Sequence, residues 1–378
     1  MTEYSGAFFK IRKWVICMCE YSSTDDEKYM RHAIELAKQG LGWTNPNPMV
    51  GAVIVKDGKI IGEGYHKKYG ELHAETSALN SCTKSPEGAT IYVTLEPCCH
   101  HGKQPPCTEA IIKAGIKRVV IGSLDPNPLV SGKGMQILRE HNIQVDNKLV
   151  CNRECIDYIK EKLPYVIVKY AQTLDGKIAT HNGLSKWITG EAARENVHMD
   201  RHRYSAIMVG INTVLKDDPM LNCRSKAIEN PHQPVRIVCD TRLRIPYDSN
   251  LVKTAGQIPV WIVTCCNDKE RISMYENAGC EIIAMEGEKI DIAQLMIILG
   301  RRGIDSCICE GGAELNWSVI NSGMVKRIQA YIAPKIFGGV DALSSVAGVG
   351  FDAPEDALKL KDYTVTRLGD DILIEGEV

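Results

Sequence analysis

Three short segments, His73-Ala74-Glu75, Pro97-Cys98 and Cys107, constrain what this chain can fold into more than any other feature. One imidazole and two thiols are the donor set of a catalytic zinc site, which takes three protein ligands and keeps a fourth position for water. A fold that carries His73, Cys98 and Cys107 as ligands must therefore bring three separate pieces of chain to one point. Bound zinc lowers the pKa of its water to roughly 7. Glu75, two residues from His73, can stand beside that water without touching the metal and carry protons to a ring and a leaving amine. H-x-E followed by P-C and a further cysteine is the pattern of zinc-dependent deamination. Both ligating segments are expected at helix N-termini, where the dipole and free N–H groups favour thiolate over thiol.

The spacing of the cysteines is unusual. Two residues commonly separate them; here eight do, Cys99-His100-His101-Gly102-Lys103-Gln104-Pro105-Pro106. A loop of this size can reach over a pocket mouth and offer Lys103 to an anionic substrate group. The competing reading is a closed structural site, with Cys99, His100 or His101 as fourth ligand. Glu75 at its fixed offset, together with Pro97, favours the catalytic reading.

The chain has 378 residues, a length that suggests two domains, with 44% hydrophobic and 24% charged residues, an ordinary globular balance. A formal net charge of −2 gives no electrostatic footprint for a nucleic-acid partner. No apolar run is long enough to span a bilayer, so no membrane partner is expected. The apolar patch Trp14–Met18 is short and lacks a cleavage site, so residues 1–23 are expected to be a mobile extension rather than a signal peptide. Fifteen cysteines in a chain without an export signal are expected to be reduced, as in the cytoplasm. Most of them, such as Cys239, Cys307 and Cys309, sit in apolar runs and should behave as small buried hydrophobes.

Folded sequence is expected from Thr24, where Thr24-Asp25-Asp26-Glu27 forms a capping box. Met30, Ala33, Ile34 and Ala37 then make one apolar helical face, ended by Gly40. Strands at Gly51–Lys56 and Lys59–Gly64 are joined by Asp57-Gly58, a strong hairpin turn. Helices from His73, over Thr108–Ala114 and near Gly134–His141 alternate with strands at Thr90–Leu95, Arg118–Gly122 and Ile143–Val145. A joining helix over 151–165, stopped by Pro164, leads into a second α/β pattern. Its strands are expected at Tyr165–Tyr170, Ala206–Gly210, Val235–Cys239, Val260–Thr264, Glu281–Ala284, Ser306–Cys309 and Arg327–Ile332. Alternation of this kind implies α/β domains, sheets with helices on their faces, over 24–150 and 166–378.

In the second domain no G-x-G-x-x-G follows a strand and no P-loop appears. Glu310-Gly311-Gly312-Ala313-Glu314-Leu315 does stand between a buried strand and a helix running toward Ile320. Two glycines at such a turn let backbone N–H groups approach a phosphate.

Taken together, several stretches resemble one family. They are Asn45-Pro46-Asn47-Pro48-Met49-Val50-Gly51, His66 through Glu75 (HKKYGELHAE), Thr94 through Cys107 (TLEPCCHHGKQPPC) and Asp125-Pro126-Asn127-Pro128 in the first domain. In the second they are Ala171 through Ala179 (AQTLDGKIA), Ser185-Lys186-Trp187-Ile188-Thr189, Val209 through Pro219 (VGINTVLKDDP), the EGG turn and Ile332-Ala333-Pro334-Lys335. The chain is similar, from Thr24 to its C-terminus, to the bifunctional riboflavin-biosynthesis deaminase–reductases. The long insert between the cysteines belongs to that family's pattern. The resemblance implies a cytidine-deaminase-like α/β/α domain followed by a dihydrofolate-reductase-like α/β domain. It implies one zinc ion, NADPH, a phosphorylated pyrimidine as substrate, and a homo-oligomer. By it, His73, Cys98 and Cys107 hold the metal and Glu75 shuttles protons. Asn47, His66 and Lys103 contact the deaminase substrate. Ala171, Trp187, Thr213, Asp217, Thr241 and Gly312-Ala313-Glu314-Leu315-Asn316-Trp317-Ser318 line the cofactor. Ser185, Arg201, Leu221, Arg224 and Glu310 line the reductase substrate, and Arg201 and Arg224 suit bidentate phosphate contacts. Two other readings compete: a deaminase of bases in nucleic acid with an accessory domain, and a non-catalytic zinc-stabilised ligand-binding protein.

Overall fold

The computed structural model describes residues 25–101, 104–127, 130–147 and 161–378. The Thr24 cap, the extension 1–23 and most of the joining helix lie outside them. Two compact units emerge, each around its own sheet. The first takes the described parts of 25–37, 50–65 and 73–147, and the second those of 38–49, 66–72 and 161–378. No helix among the described residues is long and apolar enough to cross a membrane.

The first unit runs α1 (Asp25–Ala37), β1 (Gly51–Lys56), β2 (Lys59–Tyr65), α2 (Ala74–Asn80), β3 (Thr90–Val93), α3 (Cys107–Lys113), β4 (Arg118–Ile121), α4 (Lys133–Glu140) and β5 (Gln144–Asn147). Its sheet has the order β2-β1-β3-β4-β5. The β1–β2 hairpin turns at Asp57 and Gly58, both with positive φ, as a tight two-residue turn requires. β3, β4 and β5 are parallel. Alternate residues of the strands feed opposite faces, and both faces are covered. Tyr29, Met30 and Ala33 of α1 pack with Val53, Val55, Tyr92 and Val120 on one side. Ala74 and Ala78 of α2, Ile111 of α3 and Leu138 of α4 pack with Ile54, Ile91, Val93 and Val119 on the other. This is the three-layer arrangement read from the sequence. The last strand differs, lying at Gln144–Asn147, which begins one residue later and ends two residues later than the expected Ile143–Val145.

α1 lies directly on β1 because Gly51 has no side chain. A Cβ there would meet the Ala33 carbonyl oxygen at 1.9 Å and the Ala37 nitrogen at 2.8 Å. Gly51→Ala is therefore expected to destabilise the unit by about 1–3 kcal/mol, the usual cost of overpacking. Thermal denaturation of the full chain should show the first unit melting several degrees lower, and an unchanged midpoint would contradict this packing.

The second unit runs β6 (Tyr165–Thr173), α5 (Glu191–Arg203), β7 (Ala206–Gly210), α6 (Ile211–Asp217), β8 (Val235–Cys239), α7 (Asn250–Lys253), β9 (Val260–Thr264), α8 (Lys269–Asn277), β10 (Glu281–Ala284), α9 (Ile292–Arg301), β11 (Ser306–Cys309), α10 (Ala313–Asn321), β12 (Val325–Ala333), β13 (Lys361–Leu368) and β14 (Asp371–Glu377). The nine strands are ordered β10-β9-β8-β7-β11-β6-β12-β14-β13. The first seven of that order are parallel, which explains the apolar runs of β7, β9 and β11. α9 and α10 cover one face through Leu295, Leu299, Leu315 and Val319. α6, α7 and α8 cover the other through Ile211, Val214, Leu251 and Tyr275. Insertion of β11 between β7 and β6 puts the EGG turn in the middle of the sheet's C-terminal edge, where α/β sheets commonly bind ligands.

Candidate active sites

In the first unit, His73 is the N-cap residue of α2 and Glu75 stands in its first turn. α2 can lie this close to β2 because of Gly64, whose added Cβ would meet the Ala78 nitrogen at 2.3 Å. Cys107 opens α3 behind Pro106. Thus His73 and Cys107 are at helix starts, as expected. Cys98 is not: it lies in the loop after β3, and its sulfur instead accepts the Cys107 backbone N–H at 3.3 Å. That single bond gives Cys98 the share of the α3 terminus that its own segment lacks.

The three ligand atoms lie within 4.8 Å of one another. His73 Nδ1 is 3.5 Å from Cys98 Sγ and 3.4 Å from Cys107 Sγ. A tetrahedral zinc with bonds of about 2.1 Å to nitrogen and about 2.3 Å to sulfur separates such donors by roughly 3.6 Å. The residues therefore fit zinc without rearrangement. Hydrogen bonds from Cys107 and His73 hold Cys98 well below the usual thiol range, which favours the thiolate that zinc takes. The bond to Cys98 in turn raises His73. Among the described residues the cluster comprises these three alone. Cys99, His100 and His101 stay out of it, and His101 faces Glu109 at the surface instead. The closed four-ligand alternative thereby loses its support.

Glu75 is 4% exposed and lies beside all three ligands without joining them. Burial pushes its carboxyl up to about 7, the Cys98 thiolate adds to the rise, and His73 opposes it. An acid poised near neutrality can both accept and return a proton.

Glu96 is a further buried carboxylate of this unit. Only 2% exposed, it accepts the amide N–H groups of Asp125 (3.3 Å), Gly132 (3.0 Å) and Met135 (3.3 Å). It thereby ties the chain just ahead of Cys98 to the start of α4. A buried carboxylate in an apolar stretch was the available signal, but its partners are set by tertiary structure.

Asn47 and His66 do meet. His66, 2% exposed, gives Nδ1–H to the Leu72 carbonyl at 3.0 Å, which leaves Nε2 to accept from Asn47 Nδ2 at 3.4 Å. Lys103 lies outside the described residues.

In the second unit, Glu310 follows β11 and its amide donates to the Met208 carbonyl at 2.9 Å. Its carboxylate takes a two-point contact from Arg201, Nε to Oε1 and Nη2 to Oε2, both at 2.9 Å. Lys169 Nζ reaches Oε2 at 3.4 Å and also lies 5.5 Å from the centre of the Tyr331 ring. Burial would push Glu310 up, but Arg201 and Lys169 outweigh it and hold the carboxyl at about 2. Lys169 was missed in the sequence, although it is the one charged residue in the strand YVIVKYAQT. Arg201, expected as a substrate contact, spends three of its five N–H donors within the protein, on Glu310 and, through Nη1, on the Asn222 carbonyl at 3.2 Å. Arg224 stays exposed, with Nη1 on Asn222 Oδ1.

Several of the residues expected to line the cofactor lie at or just after the C-terminal ends of parallel strands. Ala171 is on β6, Thr213 and Asp217 are on α6, and Thr241 follows β8. Gly312 is the N-cap residue of α10, and a Cβ there would meet Thr213 Oγ1 at 3.7 Å. Trp187 is 68% exposed beneath the Arg194 guanidinium, 4.6 Å from its ring centre. Within the run 312–318 some side chains are engaged inside the protein. Leu315 packs in the core, and Asn316, 1% exposed, gives Nδ2–H to the Ser345 carbonyl at 2.8 Å. Leu221, 4% exposed, is likewise a core side chain, and Ser185 lies half-buried ahead of α5.

The fold and the first centre define the class: a zinc-site deaminase unit continued by a second α/β unit with a ligand-binding edge. Residues 23–123 match the cytidine and deoxycytidylate deaminase zinc-binding region, and residues 164–374 match the RibD C-terminal domain. The chain belongs to the RibD family, the bifunctional deaminase–reductases of riboflavin biosynthesis, which use zinc and NADPH. It is 49% identical to riboflavin biosynthesis protein RibD of Actinobacillus pleuropneumoniae, over 94% of this chain and 96% of that one. With the RibD of Bacillus amyloliquefaciens it shares 43% identity, over 92% and 95%. A crystal structure of a diaminohydroxyphosphoribosylaminopyrimidine deaminase/5-amino-6-(5-phosphoribosylamino)uracil reductase from Thermotoga maritima superposes with a TM-score of 0.83. It is 38% identical, with 93% of this chain and 98% of that one covered. RibD of Acinetobacter baumannii gives a TM-score of 0.84 at 36% identity, covering 94% and 99%.

Proposed function

We propose that this chain first deaminates a diaminopyrimidinone carrying ribose 5′-phosphate and then reduces the ribosyl group of the product to a ribityl chain. The observation that carries the first step is Glu75 buried against a three-ligand cluster whose spacing suits zinc. Zinc, when bound, supplies a water of lowered pKa as the nucleophile. His73 and the two cysteines fix where that chemistry happens. Glu75 takes one proton at its carboxylate and returns it to the ring, then takes a second and returns it to the departing amine. Asn47, His66 and Lys103 are assigned as substrate contacts on the family match.

For the second step, hydride chemistry belongs to NADPH, and the protein supplies position and charge. The Gly311-Gly312 turn and α6 are assigned to the cofactor, and the Glu310–Arg201–Lys169 cluster to the ribosyl end of the substrate. Arg224, exposed and beside Arg201, is assigned to the phosphate. Arg201 acts by fixing Glu310. The near-neutral charge of the chain favours a free nucleotide over a nucleic acid.

Mass spectrometry after offering the diaminopyrimidinone phosphate tests both steps. Without NADPH the product is expected one mass unit heavier, as amine is exchanged for carbonyl oxygen. With NADPH two further mass units are expected. Unchanged substrate in both reactions would contradict the assignment.

A further inference from the structure

We propose that His198 and Gln233 are positioning residues of the reductase reaction, clamping the irregular segment 221–225 so that Arg224 faces the substrate's phosphate. The proposal rests on the assignment of Arg224 made above and adds what holds it in place.

Arg224 lies on no helix or strand. Its segment leaves α6 through Asp218 and Leu221, both with positive φ, and Leu221 is buried in the core. Backbone groups in such a stretch need partners, and side chains provide them here. Gln233 bonds both polar groups of the Cys223 backbone: Oε1 accepts its N–H at 2.8 Å, and Nε2 donates to its carbonyl at 3.0 Å. One amide side chain thus replaces a strand neighbour. The next residue is held by His198, whose Nδ1 accepts the Arg224 N–H at 3.2 Å. That bond requires a lone pair on Nδ1, so the imidazole is neutral with its proton on Nε2. The surroundings agree: burial, Arg201 and Arg224 all lower His198. Cys223 Sγ also donates to the His198 carbonyl at 3.0 Å. On the other side, Arg201 donates to the Asn222 carbonyl.

The clamp has a purpose in charge as well as shape. Arg201 lowers Arg224, after burial the largest cause of that shift, so the two guanidiniums repel. An untethered Arg224 would swing away from Arg201 toward water. Held in place, the pair forms a cationic spot that an anion relieves. His198 and Gln233 touch the backbone and not the guanidinium, whose Nη1 donates to Asn222 Oδ1 while its other donors face outward with the exposed side chain.

The test uses the full-length, zinc-loaded enzyme supplied with the deaminated intermediate, phosphorylated or dephosphorylated, and NADPH. His198→Ala and Gln233→Ala are each expected to raise KM for the phosphorylated form about tenfold, the scale of one lost hydrogen bond to a charged site. kcat, KM for the dephospho form and NADPH affinity should stay within about twofold. His198→Asn should restore KM, because Oδ1 of asparagine takes the place of Nδ1 as acceptor. Gln233→Glu keeps size but loses the Nε2–H donor, and should behave as Gln233→Ala does even if the alanine variant folds poorly. Arg224→Ala is the reference. If it raises KM selectively while the His198 and Gln233 variants do not, the clamp is wrong and the phosphate assignment stands. If Arg224→Ala affects both substrate forms equally, the phosphate assignment itself fails and the clamp with it. Equal losses in kcat, NADPH affinity and both KM values for the His198 and Gln233 variants would mean a general structural role and overturn the proposal. So would failure of His198→Asn to rescue.

Discussion

Glu75→Gln is expected to lower the deaminase rate at least about a thousandfold while one zinc ion stays bound. General acid–base groups contribute about 10²–10⁴ each, and Glu75 is asked to move the proton both onto and off its carboxylate. Glutamine keeps the shape and cannot do either. Zinc should remain, because the ligand cluster is His73, Cys98 and Cys107, and Glu75 is not part of it. Reduction of supplied intermediate should also be unchanged, since Glu310, Arg201 and Lys169 belong to the other unit. Three measurements on one variant therefore separate the possibilities. Retained turnover removes Glu75 from proton transfer. Loss of zinc makes it a structural residue of the metal site. Loss of both activities contradicts two chemically independent centres.

Glu310→Gln is expected to lower reduction at least about a hundredfold and to leave deamination intact. Glu310 is the anion between two cations, with side chains of 8% exposure for Glu310 and 12% each for Arg201 and Lys169. Removing its charge leaves both cations buried without a counter-charge, a loss of about 3–5 kcal/mol in comparable sites. Lys169 and Arg201 would then be pushed apart, and the substrate end they define would be lost. The same charge makes the unit sensitive to acid. Glu310 has its folded pKa held down at about 2, against an ordinary carboxyl value near 4.3 when unfolded. Its stabilising contribution is therefore complete above the unfolded value and is lost as pH falls through the folded one. Denaturant titrations of the parent and Glu310→Gln should differ by a constant amount from pH 7 down to about 5 and draw together as pH falls from there to 3, with part of the difference still present at pH 3. Parallel curves would show that the Glu310 charge carries no stability, and reductase rates within threefold of the parent would remove it from the site.

The sequence made some elements plain because their cause is local. Asp57-Gly58 dictates a hairpin by its own backbone preference, and the structure turns there. The apolar runs of β7, β9 and β11 read as strands because each is buried on both faces. H-x-E with its cysteines is legible because metal chemistry permits few donor sets. Other features depend on neighbours that no local pattern names. β13 exposes most of its residues at the sheet edge, so Lys361–Leu368 shows no apolar run, and the β13–β14 hairpin was not anticipated. Insertion of β11 between β6 and β7 cannot be read from strand order along the chain. Arg201 suits a phosphate because its guanidinium is a planar fork. The same fork suits a carboxylate, and Glu310, which the sequence had placed among the substrate contacts, takes it. Lys169 and Glu96 stood in view as charges in apolar stretches, but their work is set by what folds against them.

The most direct test of the central claim is zinc content measured on the same samples as the two rates. Purified full-length protein is expected to carry one zinc per chain. Stripping it with a chelator should abolish ammonia release, and added zinc should restore it, while NADPH-dependent reduction of supplied intermediate continues throughout. Ammonia release that persists in protein shown to be free of metal would contradict the account.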